Sequence, residues 1–235
     1  MNRKTILAII ALIILGILAY GIYYVNDYYH AGDTAKNYMN GTSTVNVIKT
    51  GSGMLLDGPG NDTALIFNPG AKVEYTSYLP LLTRLAVENI DCFLVEMPFN
   101  LAILNQNAAD DKMKSNTYNH YYISGHSLGG TMASSYVNST NRTDALILLE
   151  SYPTGTIQKP VLSIYGTEDK VLNMEKYNES KSLMNNLTEI IIRGANHAQV
   201  GDYGNQSGDG IAKITPEKQQ TLTSDAIIDF IKKSQ

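Results

Sequence analysis

Cysteine is almost absent. Cys92 stands alone in 235 residues, so neither an intrachain disulfide nor a cysteine-rich zinc site can form. Its setting, the apolar run DCFLVEM, reads as a small buried strand position rather than a reactive thiol. Clustered cations are missing too. Eighteen Lys and Arg against 22 Asp and Glu leave a net charge of −4, and no stretch gathers the positive ones. That excludes a nucleic-acid partner, because phosphate binding needs grouped Lys and Arg. Internal repeats are absent, which excludes a solenoid. Tryptophan is absent and proline is sparse, and neither excludes a fold class. With 43% hydrophobic residues, the chain is long enough for one globular domain with its own core.

What the chain has begins at its N-terminus. Arg3 and Lys4 precede an uncharged, mostly apolar run from Ile6 to Val25. Twenty helical residues rise about 30 Å, the hydrocarbon thickness of a bilayer. Residues 1–30 therefore read as a signal anchor, a single transmembrane segment. Ala19, Tyr20 and Gly21 offer a small-x-small cleavage site, so secretion after signal cleavage is the alternative. The apolar run continues past that site, which favours the anchor. Positive charge before the span and Asp27 and His30 after it place the N-terminus in the cytoplasm and the domain outside the cell membrane. Residues 31–43 read as a polar tether, and residues 44–235 as the folded domain.

Within the domain, TVNVIKT and MLLDGPG flank Gly51, Ser52 and Gly53 and read as a hairpin. The pattern then turns to strand and helix in alternation. Strands are expected at 63–68, 91–97, 120–125, 145–150, 160–166 and 188–194. Helices are expected at 76–89 (capped by Thr76), 101–114, 127–139, 174–187 and 223–234. The strands are near-continuous apolar runs, as expected where both faces of a parallel sheet are covered. The fold class is α/β, a doubly wound, mostly parallel sheet after an N-terminal hairpin. Ligands in such sheets bind beyond the carboxyl ends of the strands, so the residues just after each strand carry the chemistry.

The segment YYISGHSLGGTMASSY supplies the strongest motif. Gly-x-Ser-x-Gly arises often by chance, but here it follows a strand and opens a helix, as a nucleophile elbow requires. Gly125, Gly129 and Gly130 omit the Cβ atoms that would separate helix from strand. Ser127 is the candidate nucleophile. A serine hydroxyl needs a base within reach. Of the four histidines, His30 lies in the tether, His120 opens a strand and His126 adjoins the serine on a sharp turn. His197, in IIIRGANHAQVGDYG, follows the last strand and is the candidate base. The imidazole needs a carboxylate to orient it. YGTEDKV offers Asp169, with Glu168 a lesser candidate and Glu150 a third. Oxyanion donors are expected from the amides of Leu128 and of Ala71, the latter in the turn FNPGAKVEY. The Gly-Asp-rich loop at 201–210 reads as a plain turn rather than a cation site, and no metal or organic cofactor is implied.

Assembled, GHSLGG, YGTEDKV and GANHAQVGDYG resemble the α/β-hydrolase superfamily, in its compact, esterase-like group, from about Val45 to the C-terminus. The order Ser127, Asp169, His197 matches that superfamily's chain order. The resemblance implies an α/β-hydrolase fold with Ser127 as nucleophile, Asp169 as acid, His197 as base, and Ala71 and Leu128 as oxyanion donors. NPGA stands where many members carry His-Gly. Only SYPTGTIQK separates Glu150 from Pro160, too short for a lid domain, so an open, shallow site is expected unless residues 101–114 or the loop GDYGNQSGDGIAKIT cover it, and such a site favours short or exposed esters over buried lipid. The implied activity is cleavage of a small carboxylic ester through an acyl-enzyme. An acyltransferase, thioesterase or amidase would use the same triad. A non-catalytic, surface-displayed binding module is the rival outside enzymology. Oligomeric state and natural substrate leave no mark on the sequence.

Overall fold

The structure is a computed structural model. It describes residues 2–105, 107–115 and 117–235. In chain order the elements are α1 (Arg3–Asn26), α2 (Asp33–Asn37), β1 (Asn46–Thr50), β2 (Gly53–Asp57), β3 (Thr63–Asn68), α3 (Leu79–Val87), β4 (Ile90–Val95), α4 (Ala108–Ser115), β5 (His120–His126) and α5 (Leu128–Val137). There follow β6 (Ala145–Leu149), β7 (Ile157–Gly166), α6 (Met174–Ser180), β8 (Met184–Ile192) and α7 (Pro216–Ser234).

The eight strands form one sheet in the order β1-β2-β4-β3-β5-β6-β7-β8. The β1–β2 hairpin adds antiparallel to β4, and every pair from β4 to β8 is parallel. Strand residues alternate between two apolar layers. Leu65, Phe67, Tyr122, Ile147 and Leu149 face one layer, closed by α3 and α7. Ala64, Ile66, Ile123, Leu146 and Leu148 face the other, closed by α4 and α5. Both faces of the central strands β3, β4, β5 and β6 are covered, which is why these read as unbroken apolar runs. Cys92 is buried in β4, as its setting implied.

Several boundaries differ from the sequence reading. Residues 76–89 do not form one helix capped by Thr76. A 3-10 turn, Tyr75–Tyr78, leads into α3, and the Thr76 hydroxyl donates to Glu74 instead (2.8 Å). The helix expected at 101–114 splits into a 3-10 turn, Ala102–Leu104, and α4; Gln106 between them lies outside the described residues. Asn105 leaves the helical region at φ −148°, which ends the turn. The helix expected at 174–187 stops at Ser180, and β8 starts at Met184 rather than 188. Pairing of Ile157 with Met184 and of Pro160 with Asn186 captures residues that local pattern assigned to the helix. Conversely, α7 starts seven residues before the expected 223. Thr215 caps it by accepting from the Lys218 amide (3.2 Å), and Pro216 occupies the first turn.

Helix α1 is long and apolar enough to cross a membrane, and none of it is buried in the protein. The segment after it is no free tether. Tyr29 pairs with Val73, donating to Lys72 O (2.7 Å) and accepting from the Glu74 amide (2.9 Å). Gly32 N–H donates to Asp202 O (2.7 Å), and the Asp202 carboxylate accepts from Ala35 N–H (2.7 Å) at the first turn of α2. A Cβ on Gly32 would stand 2.6 Å from that carboxylate, so any larger residue there would displace the Asp202 side chain. Asp202→Ala should therefore release α2 and lower stability by about 1 kcal/mol. Thermal unfolding of the detergent-solubilised full chain measures this as a drop in Tm.

Candidate active site

Strands β3, β5, β6, β7 and β8 run parallel, so the segments that follow them share one edge of the sheet. Ser127 follows β5 with φ +52° and ψ −124°. A side chain in that region costs about 1–3 kcal/mol and persists only when its surroundings hold it. Here Ser127 N–H donates to Leu149 O (2.9 Å), while Ser127 O accepts from Gly130 N–H (3.0 Å) and from the Ser151 hydroxyl (2.7 Å). The glycines let α5 press against the sheet. A Cβ on Gly125 would stand 2.4 Å from Gly129 C, and one on Gly129 would stand 2.3 Å from Asn68 O. The turn leaves Ser127 half-exposed at the N-terminus of α5.

Asp169 follows β7 and His197 follows β8. Their side chains are each 1% exposed, and His197 Nδ1 lies 2.8 Å from Asp169 Oδ2. The other Asp169 oxygen accepts from Val171 N–H (2.7 Å) and Leu172 N–H (2.8 Å). Burial alone would raise this carboxyl. The His197 hydrogen bond, a hydrogen bond with Glu150 and the Leu172 amide outweigh it and bring the pKa down to about 2. The paired carboxylate thus contributes about 2 kcal/mol at neutral pH, lost as pH falls from 3.8 towards 2.

His197 Nε2, the nitrogen that faces away from Asp169, is buried and has no hydrogen-bond partner among the described residues. The structure brings Ser127, Asp169 and His197 to one rim but draws no hydrogen bond between the Ser127 hydroxyl and that nitrogen. The His197 ring instead packs 4.5 Å, centroid to centroid, from the ring of His126.

The turn after β3 also lies on this rim. Neither the Ala71 nor the Leu128 amide makes a hydrogen bond among the described residues. The turn's shape depends on a residue the sequence reading passed over. Gly70 N–H donates to Tyr78 Oη (3.0 Å), which is 2.8 Å from His126 Nδ1. With Oη accepting from Gly70, its own proton goes to Nδ1. Burial and the neighbouring His197 hold the His126 pKa well below its ordinary value, so that ring is neutral. His126 is a buttress beneath the turn rather than a competing base. No sequence signal marks Tyr78, which sits among helix-periodic leucines.

Glu150, kept as a third candidate acid, has a different place. It is buried, has φ +49°, and both its oxygens accept from Gly166 N–H (2.9 and 3.1 Å). Glu150, Asp169 and His197 offer ligand atoms within 4.8 Å of one another. His197 Nδ1 and both Asp169 oxygens are engaged in hydrogen bonds. Burial, then Asp169, push the Glu150 carboxyl well above its ordinary 4.5, so it is neutral beside an ionised Asp169. Glu168, the lesser candidate, pairs with Lys213 at the surface (2.8 Å) and does not reach the histidine. The Gly-Asp-rich loop does not act as a plain turn. Asp209 accepts from Ala198 N–H (2.9 Å), beside His197, and from Lys170 N–H (3.3 Å), beside Asp169, and so ties the two loops together. The connection at 150–156 carries no helix over the rim, as its length implied.

The model of the Alpha/beta hydrolase family matches residues 64–221. The chain belongs to that family and has its enzyme fold. Among solved structures it is similar to Est1E from Butyrivibrio proteoclasticus, with 16% identity over 82% of this chain and 99% of that one and a TM-score of 0.57. It is also similar to carboxyl esterase 2 from the fungus Tuber melanosporum, with 13% identity over 85% and 91% and a TM-score of 0.57. A bacterial membrane phospholipase A matches over 98% of this chain and 99% of that one at 10% identity, with a TM-score of 0.59. At these identities the likeness is one of fold. No curated protein matches the sequence.

Tyr78→Phe should strand the Gly70 amide and cost about 1–3 kcal/mol in denaturant unfolding. Glu150 gives a pH signature. Its carboxyl is raised in the fold, so the unfolded chain releases a proton that the native state keeps. Stability then falls as pH rises above 4.5 towards the folded value. Glu150→Gln should remove that slope and unfold at higher denaturant than wild type at pH 7.

Proposed function

We propose that the protein is a membrane-anchored serine hydrolase that cleaves a carboxylic ester through an acyl-enzyme, with its catalytic domain outside the cytoplasm. Ser127 attacks the ester carbonyl, and His197 takes its proton through Nε2. Asp169 holds the imidazole in the required tautomer and stabilises the imidazolium that forms. The amides of Ala71 and Leu128 receive the oxyanion, aided by the N-terminal end of α5. The protonated His197 then gives its proton to the leaving alcohol, and water repeats the sequence on the acyl-serine.

The observation that carries this reading is the buried His197–Asp169 pair on the same rim as a strained serine turn. A partnerless Nε2 and two unbonded amides are what an incoming substrate and the serine would satisfy. The chain has no need of a metal or organic cofactor for these steps. The outward-facing domain rests on the Arg3 and Lys4 flank before α1.

Ser127→Ala should lower kcat by roughly 10⁴-fold or more on chromogenic esters while leaving the circular dichroism spectrum unchanged. A fluorophosphonate probe should label Ser127 in the wild type alone. An intact, folded wild type that neither takes the probe nor cleaves any ester, thioester or amide would establish the binding-module reading instead.

A further inference from the structure

The carboxyl edge carries a group of exposed apolar side chains that the catalytic reading does not use. Phe99, Ile103 and Leu104 are 62%, 53% and 54% exposed. They lie in the segment after β4, so they share the rim with Ser127. Phe99 is held outward at a cost. It sits at φ +53° and Asn100 at φ +56°, a region a bulky residue rarely enters. Bonds on either side fix the turn: Asn100 N–H to Met97 O (3.0 Å), Leu101 N–H to Pro98 O (3.0 Å) and Lys72 N–H to Asn100 O (2.8 Å). Ala102, between the exposed residues, is fully buried, and its turn packs on α5. Ile103 and Leu104 are thus carried on a turn seated against the elbow helix.

The same segment meets the end of α1, which packs against Pro98–Asn100. Tyr20, Tyr23 and Tyr24 crowd the last two turns of α1, where an aromatic belt marks the bilayer surface. At that level Lys72, next to Ala71, pairs with Asp27 (2.7 Å) and lies over the Tyr24 ring (4.6 Å). The Ala71 turn therefore sits at headgroup height, and the exposed apolar side chains lie beside it.

We propose that Phe99, Ile103 and Leu104 form a wedge that enters the bilayer α1 spans, so that the site takes its ester from the membrane surface. The substrate class is a membrane-resident amphiphile whose ester lies at the interface. This rests on the catalytic reading above for the bond cleaved, but the wedge itself does not. Apolar side chains gain by leaving water for the interface, and the anchor has already met the cost of bringing them there. A site without a helical cap then needs no deep acyl pocket, because the bilayer holds the acyl chain.

The test uses the full chain in vesicles of phosphatidylcholine and phosphatidylglycerol. Buried Cys92 does not compete for a thiol probe. A polarity-sensitive fluorophore at Ile103→Cys should be quenched by lipid carrying an acyl-chain nitroxide. The same fluorophore at Val87→Cys, at the opposite end of the sheet, should not. Equal quenching at the two positions overturns the wedge. Ile103→Ser combined with Leu104→Ser should slow hydrolysis of a fluorogenic phosphatidylcholine in the vesicle by about tenfold. Hydrolysis of soluble 4-nitrophenyl butyrate should be unchanged. An equal loss on both substrates, or no loss on either, overturns the proposed source of substrate. The quenching arm needs no catalysis, so failure of the catalytic reading and failure of the wedge are read separately.

Discussion

The close approach of α5 to β5 is the constraint on which the rim depends. Three glycines and a strained serine meet where the chain passes from strand to helix. Had any of the three carried a Cβ, the helix would stand off the sheet, and Ser127 could not remain in its left-handed conformation. The strain is held by β6 and the loop that follows it, through Leu149 O and the Ser151 hydroxyl. The sheet must therefore be assembled before the turn is stable. Local geometry and tertiary packing are the same event here.

The polar part of the rim obeys a second rule, that buried charge is tolerated only when every partner is present. Asp169 is ionised although buried because three partners hold it: the His197 imidazole and the amides of Val171 and Leu172. Glu150 stays neutral for the complementary reason, since a second charge beside Asp169 would be costly. Asp209 then fixes the two loops at their backbones. Across the rim, Tyr78 and His126 support the Ala71 turn in the same way, by satisfying an amide that would otherwise be buried alone.

The segment after α1 joins that helix to this network. Tyr29 adds a bridge beside the Ala71 turn, and Asp202 clasps α2 from the loop that follows His197. A polar composition suggested a tether, because residues 31–43 lack the apolar periodicity that marks packed elements. They are held by the amides of Gly32 and Ala35 on Asp202 and by Tyr38 and Met39 packed on the core, contacts too irregular in spacing to read as a packed element.

Much of this molecule was legible before its structure. The apolar span, the parallel sheet with its leading hairpin, the serine turn and the choice of His197 and Asp169 all follow from local pattern. Each is encoded in contiguous residues: twenty apolar positions, runs of strand formers, glycines flanking a serine, and acids or histidines just past a strand. What only the tertiary structure decided are relations between distant segments. It ended the helix expected at 174–187 by offering β7 as a pairing partner, and it turned Glu150 from a rival acid into a neutral support. It also set Tyr78 beneath the Ala71 turn and brought Phe99 beside the end of α1. A single sequence carries periodicity and turn chemistry, which are local. Hydrogen bonds across 48 residues, such as Tyr78 to His126, exist only once the sheet has folded them together.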